Sequence, residues 1–193
     1  VDEPYRMFTS RAEFRILLRQ DNADIRLTNK AWKLGLASLE RKKLLEEKLT
    51  LISEIIEFTK NFSVKPRFVN QLLKEKKSSE LKQGVKLIDI ILRPEISIFD
   101  LSEYIAIAPL KEFLKRVPEI RKTEIIEGAE ISMKYEGYIN REKLLAQKLE
   151  KFEDISIANK FDYDKLKSIS TEGRQKLKKV NPVTIGQAKR MCY

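Results

Sequence analysis

The chain has 193 residues, 42% of them hydrophobic, and its 39 Lys and Arg against 29 Asp and Glu give a net charge of +10. This much apolar sequence can build a core, which excludes a mostly disordered tail, and the scarcity of glycine and proline argues against an extended all-β architecture. The absence of histidine and the single cysteine, Cys192, exclude histidine-dependent catalytic triads, intrachain disulfides and thiolate metal clusters.

The same features predict a cytoplasmic protein that does not cross a membrane. One cysteine is typical of a reducing compartment, and no run approaches the roughly 18 to 20 apolar residues that span a bilayer. No signal-peptide pattern opens the chain. Because it begins at Val1 and stops at Tyr193 just after a predicted helix start, we expect it to be a piece of a longer protein.

The first predicted helix begins at Ser10, which has the capping-box spacing with Glu13. In such a helix Arg11, Arg15 and Arg19 recur every four residues, so they would form a basic stripe on one face. The polar segment 20–24 predicts a turn that ends this helix.

Two further helices follow. Thr28 is placed to cap a short helix that stops at Gly35, and Ser38 is placed to cap a long helix over residues 39–62. The apolar positions of the long helix have the spacing that packs against another long helix. These positions are Leu45, Leu49, Ile52 and Ile56.

Short helices joined by short connections are predicted for residues 66–118. Pro66 and Pro109 suit the first turn of a helix, Ser97 suits a helix start, and Pro118 marks a break. From residue 119 to about 152 the apolar spacing fits one long amphipathic helix, with Gly128 and Gly137 as its weak points.

The last segment, residues 170–193, is the most strongly basic stretch. Ser170 is placed to cap one helix, Asn181-Pro182 breaks it, and Thr184 starts the next. Glu172 is the only acidic residue here.

Together these elements predict an all-α fold, in which long amphipathic helices and several short helices form a bundle that has room for two subdomains. The predicted segments are an opening helical segment over residues 1–35, a helical subdomain over 36–118, and a spine helix with a basic helical subdomain over 119–193.

Two groups of cations are candidates for contact with nucleic-acid phosphates, since arginine offers a charged planar fork and lysine a point charge. Either group has an alternative interpretation: the arginines pair with Glu13, Asp21 or Asp24 to fix the turn, and the later cations form a solvated face. The candidates are Arg6, Arg11, Arg15, Arg19, Arg26, Arg174, Lys178, Lys179, Lys189 and Arg190.

Three tyrosines are candidates for stacking on unpaired bases. Tyr135 and Tyr138 have helical spacing with Ile139, which favours the core for these two, while Tyr163 lies in a predicted irregular stretch. The six glycines stand singly, so the sequence contains neither a dinucleotide-binding fingerprint nor a phosphate-binding loop.

Several segments resemble one family over nearly the whole chain. Residues 3–28, EPYRMFTSRAEFRILLRQDNADIRLT, open the resemblance. It continues at Leu92-Arg93-Pro94, at KYEGYI in residues 134–139, at Phe161-Asp162-Tyr163 and at NPVTIGQA in residues 181–188. In these segments the chain resembles the C-terminal helical region of the glucose-inhibited division protein A family (MnmG/GidA), the FAD-binding subunit of the tRNA uridine 5-carboxymethylaminomethyl modification enzyme.

The resemblance implies a tRNA-binding and partner-docking region of an enzyme that modifies C5 of the wobble uridine. It implies FAD, with NADH as reductant, in an N-terminal domain of the full-length protein and no cofactor in this chain, which alone would not be catalytic. The implied partners are tRNA, the tRNA-modification GTPase MnmE and a second copy of the full-length protein. The opening arginines match those of the family's motif, which implies contact with tRNA or with the FAD domain. The alternative is a protein interaction scaffold, with tRNA recognised elsewhere.

Overall fold

The computed structural model describes residues 13–104, 107–157 and 161–191, with side chains up to Lys189. In these ranges the chain forms ten α-helices and one two-stranded sheet, so the all-α prediction is confirmed. The elements are α1 (Ala23–Lys33), α2 (Leu39–Asn61), β1 (Ser63–Val64), α3 (Pro66–Glu75), β2 (Val85–Lys86), α4 (Leu87–Ile91), α5 (Ile98–Glu103), α6 (Ala108–Leu114), α7 (Lys122–Lys134), α8 (Glu136–Glu153), α9 (Thr171–Val180) and α10 (Ile185–Met191).

The chain divides into two compact units. The central unit is Leu18–Ile139, and the terminal unit combines the described parts of Val1–Leu17 and Asn140–Tyr193. The segment boundaries after residues 35 and 118 stay predictions.

The core of the central unit lies between α2, α7 and the short helices. Ile55 of α2 and Ile125 and Ile126 of α7 are fully buried in it. Gly128 explains how closely the two long helices approach, because a Cβ built there would lie 3.0 Å from Ile52 Cδ1. Most of the remaining core comes from the short elements: Val64, Val69, Leu72, Leu73, Leu87, Ile90, Ile91, Ile96, Ile98, Leu101, Ile107, Leu110, Leu114 and Val117.

Several predicted helix starts are confirmed by their caps. The Oγ atom of Ser38 accepts a hydrogen bond from the Arg41 backbone N–H at 3.2 Å, and that of Ser97 accepts from the Asp100 N–H at 3.1 Å. Ser170 does the same for α9. Pro66 and Pro109 stand in the first turns of α3 and α6, as expected.

The predicted opening helix is wrong in its described part. Residues 13–17 form turns, and Phe14 has a φ of 54°, which is in the left-handed region. A left-handed residue interrupts the right-handed helical ladder, and the Leu17 N–H bonds instead to the Phe14 carbonyl at 2.8 Å. Arg15 and Arg19 therefore do not lie on one continuous helix.

The first helix of the central unit starts earlier than predicted. Segment 20–24 does not end a helix, since α1 begins at Ala23 with Asp24 in its first turn. The acidic side chain is favoured there by the helix dipole, and its Oδ1 accepts from the Ile25 N–H at 2.7 Å. Thr28, predicted as a cap, is instead a buried residue in the middle of α1.

The long helix predicted for residues 119–152 is interrupted. A short 3-10 turn (Glu119–Arg121) precedes α7, and at Tyr135 the backbone leaves helical geometry, with φ of −105° and ψ of 6°. Since α8 starts at Glu136, the break falls two residues before Gly137, one of the predicted weak points.

In the terminal unit α9 and α10 are joined by a tight turn. Asn181 adopts a left-handed φ of 49° at the end of α9, a conformation that asparagine tolerates at a helix C-terminus. The segment before α10 pairs with the segment that follows α8: the Ile157 N–H bonds to the Val183 carbonyl at 2.8 Å, and the Ile185 N–H to the Ile155 carbonyl at 2.9 Å.

Candidate nucleic-acid interface

Two of the opening arginines fix the turn before α1. The Arg19 guanidinium donates to both carboxylate oxygens of Asp21, through Nε to Oδ1 at 2.9 Å and Nη2 to Oδ2 at 3.0 Å. The Arg26 side chain donates to Asn22 Oδ1 at 2.9 Å and to the Arg19 carbonyl. The alternative considered from the sequence, in which the arginines stabilise a turn, therefore describes these two.

The remaining opening arginines are placed differently. Arg15 lies in the terminal unit, is exposed, and forms no ion pair with the residues that the structure describes. Arg6 and Arg11 lie outside the described residues. That the five arginines form one binding surface stays a prediction.

The basic C-terminal stretch is partly neutralised by carboxylates. Lys178 pairs with Asp164, and Lys189 Nζ lies 3.2 Å from Glu13 Oε1, both within the terminal unit. Arg174 donates to Thr171 Oγ1 at 3.3 Å. Lys179 is exposed and has no ion pair among the described residues, whereas the side chain of Arg190 lies outside them.

The core placement predicted for Tyr135 and Tyr138 is wrong, and the stacking candidate Tyr163 is buried. Tyr135 and Tyr138, expected in the core, are 47% and 57% exposed, with ring centroids 6.3 Å apart. Tyr163, expected at an irregular segment, is 4% exposed and packs edge-on against Phe161. The break at Tyr135 explains the first difference, because the apolar face of α7 does not continue in register into α8.

The two exposed tyrosines line a groove of about 760 Å³ in the central unit. Leu92 and Pro94 form its other side, so the Leu-Arg-Pro segment and the start of the Lys-Tyr-Glu-Gly-Tyr-Ile segment meet there. Lys134 is held at its edge by the Ile96 carbonyl at 2.8 Å and by Glu130 at 2.7 Å. The groove therefore has an aromatic side and a neutralised polar rim.

One buried cation was missed in the sequence. Lys48 of α2 is 3% exposed, and its Nζ donates to Asp24 Oδ2 at 2.8 Å and to Glu124 Oε1 at 2.5 Å, so it joins α1, α2 and α7. Burial by itself lowers the pKa of Lys48, but the hydrogen bonds and charges of the two carboxylates outweigh it and raise the pKa above its ordinary value. This lysine is structural and cannot contact a ligand phosphate.

A second group of cations was not predicted from the sequence, because it lies outside the two basic segments near the ends of the chain. We call it the hairpin patch: five exposed cations around the β1–β2 hairpin. Its members are Lys60, Lys65, Arg67, Lys82 and Lys86. The signal that could have found it is the absence of Asp and Glu from residues 58–74 and 81–88.

The described residues do not fit a flavin or a metal. The strands have two residues each and no glycine-rich turn follows either of them, so the described ranges offer no cradle for a dinucleotide phosphate. No group of His, Cys, Asp and Glu in these ranges is arranged to hold a metal ion. None of the helices described has both the length and the apolar character to cross a membrane.

Comparisons with known proteins match nearly the whole chain. Residues 39–143 match the family described as the tRNA modifying enzyme MnmG/GidA C-terminal helical domain, and residues 145–192 match its C-terminal helical bundle. The chain is 53% identical over 191 residues to the tRNA uridine 5-carboxymethylaminomethyl modification enzyme MnmG of Bacteroides fragilis, covering 99% of the chain and 30% of that protein. The MnmG protein of Christiangramia forsetii is 45% identical over 190 residues, which is 98% of the chain and 30% of the relative.

A solved structure supports the same match. The structure of Aquifex aeolicus GidA in the form II crystal superposes with a TM-score of 0.62 at 35% identity, covering 99% of this chain and 28% of that one. The chain therefore spans about 30% of the length of the curated relatives.

Proposed function

The chain belongs to the MnmG/GidA family, to its C-terminal helical part, and from this premise we propose that it is the tRNA-contacting and partner-docking region of a tRNA-modifying enzyme. The observation that carries the proposal is the match over 98 to 99% of the chain to relatives that are named for modification of a tRNA uridine. The net charge of +10 supports it, because exposed cations neutralise phosphates.

The chemistry belongs to the rest of such an enzyme. In the proposed full-length protein, FAD and NADH bind outside this chain, whose described residues do not fit a flavin. The chain contributes binding and orientation of the tRNA, so that the wobble uridine can be modified at C5. The GTPase MnmE, a second copy of the full-length protein and a cytoplasmic location belong to the same proposal.

Fluorescence anisotropy tests the proposal. The chain is titrated with an unmodified wobble-uridine tRNA and with an unrelated RNA of equal length, at about 50 and 200 mM salt. We expect tighter binding to the tRNA at both salt concentrations. Equal binding to both RNAs that disappears at the higher salt would contradict the proposal, because it would show only generic charge attraction.

Two charge reversals in α9 refine this test. Lys179 has no ion pair among the described residues, whereas Lys176 pairs with Glu172 at 2.7 Å, four residues away on the same helix. Lys179→Glu is expected to weaken tRNA binding more than Lys176→Glu, although both change the net charge by two. Equal losses would argue against a contact at Lys179.

A second candidate function, a protein interaction scaffold, is favoured by α8. None of its residues is buried, and Leu144, Leu145 and Phe152 are 59%, 45% and 49% exposed. Docking of the GTPase or of a second copy on this helix would depend little on salt, because an apolar interface is not screened. Replacing Leu144 and Leu145 by Ser would then reduce partner binding and leave tRNA binding unchanged.

A further inference from the structure

The hairpin patch brings together cations from five elements or connections. Lys60 lies in the last turn of α2, Lys65 directly precedes α3, and Arg67 lies in the first turn of α3. Lys86 belongs to β2, and Lys82 lies in the connection that leads to it.

Backbone pairing fixes this arrangement. In the antiparallel β1–β2 pair Ser63 lies opposite Lys86 and Val64 opposite Val85, which sets Lys65 next to the hairpin. The Lys86 Nζ donates to the Asn61 carbonyl at 2.9 Å, so it lies over the end of α2 near Lys60.

The connection that carries Lys82 is fixed from the other side. The Asn70 side chain accepts from the Leu81 N–H at 2.8 Å and donates to the Leu81 carbonyl at 3.0 Å. A side-chain amide that satisfies both backbone groups holds the residue before Lys82 against α3. The cations are therefore presented by a folded framework.

The charge of the patch is not compensated. None of its five cations forms an ion pair within the described part of the chain, in contrast to Lys178 and Lys189 of the terminal unit. The nearest acidic residue along the chain on the β2 side is Asp89, whose carboxylate accepts from the Lys86 backbone N–H at 3.2 Å. Helix α3 adds to the positive potential, because its first turn has no acidic residue and no side-chain cap.

Arg67 is also oriented for phosphate recognition. Its guanidinium lies 4.5 Å from the centroid of the Phe68 ring, which is 38% exposed. Stacking on an aromatic face reduces the entropy that the long side chain loses on binding and leaves the N–H edges of the fork free for a phosphate.

We propose that the hairpin patch binds the phosphodiester backbone of the tRNA, as a contact surface separate from the two groups of cations identified in the sequence. The inference rests on the proposed function, since it names where that function's phosphate contacts are made. Exposed cations without ion pairs on a folded hairpin match a chain of regularly spaced phosphates, and four of the five are lysines, a residue type that is depleted at protein interfaces.

The test compares two double variants in the 193-residue chain. Lys65→Gln/Arg67→Gln removes two charges from the patch. Lys111→Gln/Lys115→Gln removes two exposed charges in α6 and directly after it, which already pair with Glu103 at 3.8 Å and Glu112 at 2.6 Å. Binding of an unmodified wobble-uridine tRNA is measured by anisotropy over a salt series. Circular dichroism and thermal unfolding check that each variant is folded.

Each lost phosphate contact reduces the magnitude of the slope of log affinity against log salt by about 0.7 to 0.9, which is about five- to eightfold in affinity at 0.1 M salt. We expect the patch variant to lose about 1.4 to 1.8 in slope magnitude and about 25- to 60-fold in affinity. The α6 control should lose much less. Arg67→Lys, which keeps the charge but not the fork, should keep the slope and lose part of the affinity.

Three outcomes would overturn the inference. Equal losses of tRNA affinity in both double variants would show a general charge effect. Unchanged tRNA affinity in the patch variant would show that the patch does not contact the tRNA. Loss of GTPase binding with unchanged tRNA binding would assign the patch to a protein partner. If the original chain does not bind tRNA, the proposed function is contradicted. If the original chain binds tRNA and the patch variant binds it equally well, only the inference about the patch is contradicted.

Discussion

Lys48 provides the sharpest test of how the central unit is held together. Its ammonium is 3% exposed and lies between Asp24 of α1 and Glu124 of α7. Lys48→Met removes the charge and both hydrogen bonds, while a side chain of similar length continues to fill the space in α2. The expected result is a folded protein with a weaker attachment of α1.

The magnitude follows from the exposure of the partners. Two charge-assisted hydrogen bonds would contribute about 1.5 to 3 kcal/mol each if both partners were buried. Here the side chains of Asp24 and Glu124 are 31% and 49% exposed, so water rehydrates them when the lysine is removed. We therefore expect a loss of about 1 to 3 kcal/mol in the free energy of unfolding at pH 7.

The direction of the Lys48 pKa shift determines how the stabilisation by this residue changes with pH. The folded-state pKa of Lys48 is raised, despite its burial, by the two carboxylates. A raised lysine pKa contributes stability that is fully present below the unfolded value of about 10.4 and is lost as the pH rises through the folded value. The difference between the original chain and Lys48→Met should thus shrink above about pH 10.5.

The assay is urea unfolding followed by the fluorescence of Trp32, the single tryptophan, which lies in α1 close to the perturbed contact. Measurements at about pH 7, 9 and 11 give the difference between the two proteins at each pH. No loss at pH 7 would refute the stabilising role of Lys48. A loss of the same size at pH 11 would refute its electrostatic origin.

Two further predictions concern single contacts. Gly186→Ala should destabilise the terminal unit by about 1 to 3 kcal/mol in thermal unfolding, since the new Cβ would lie 2.5 Å from Glu153 Oε2 and 2.9 Å from its Cα. Gly137→Ala, with nothing within 4 Å, should instead be neutral or stabilising by up to about 1 kcal/mol, and equal effects would contradict the packing argument. Asp100→Asn should cost about 1 to 2 kcal/mol at pH 7, because the hydrogen bonds of Lys76 and Ser97, outweighing burial, lower the pKa of Asp100. A lowered pKa gives stability that is present above about pH 4 and lost as the pH falls, so urea unfolding should show this cost shrinking below pH 4; a constant cost would contradict it.

The sequence predicted helix starts better than helix continuity. Ser38, Ser97 and Ser170 each satisfy a backbone N–H within three residues, so the information needed lies in a short window. Gly137 marks a weak point two residues from the interruption at Tyr135, but its low helix propensity does not by itself set where the helix breaks. The position of the break depends on how α7 packs in the central unit, which a single sequence does not display.

The wrong core placement of Tyr135 and Tyr138 has the same origin. Periodicity assigns Tyr135 and Tyr138 to a core face only if the helix that contains them is continuous. Once the chain bends at Tyr135, both rings turn to the surface, while Tyr163 becomes buried through a 3-10 turn that no periodic pattern marks. Helical spacing predicts burial reliably only within one unbroken element.

The candidate binding cations show that the net charge of a sequence segment does not establish which of its cations are free to bind a phosphate. Lys178 and Lys189 lie in the most basic stretch of the sequence, yet Asp164 and Glu13, distant along the chain, neutralise them. The five cations of the hairpin patch lie in a less conspicuous stretch, and folding brings them together without an ion pair to any of their side chains among the described residues. A phosphate responds to the charge that remains after folding. The patch variant should therefore lose more of its salt dependence than a variant with a charge-matched change at a cation that is already paired.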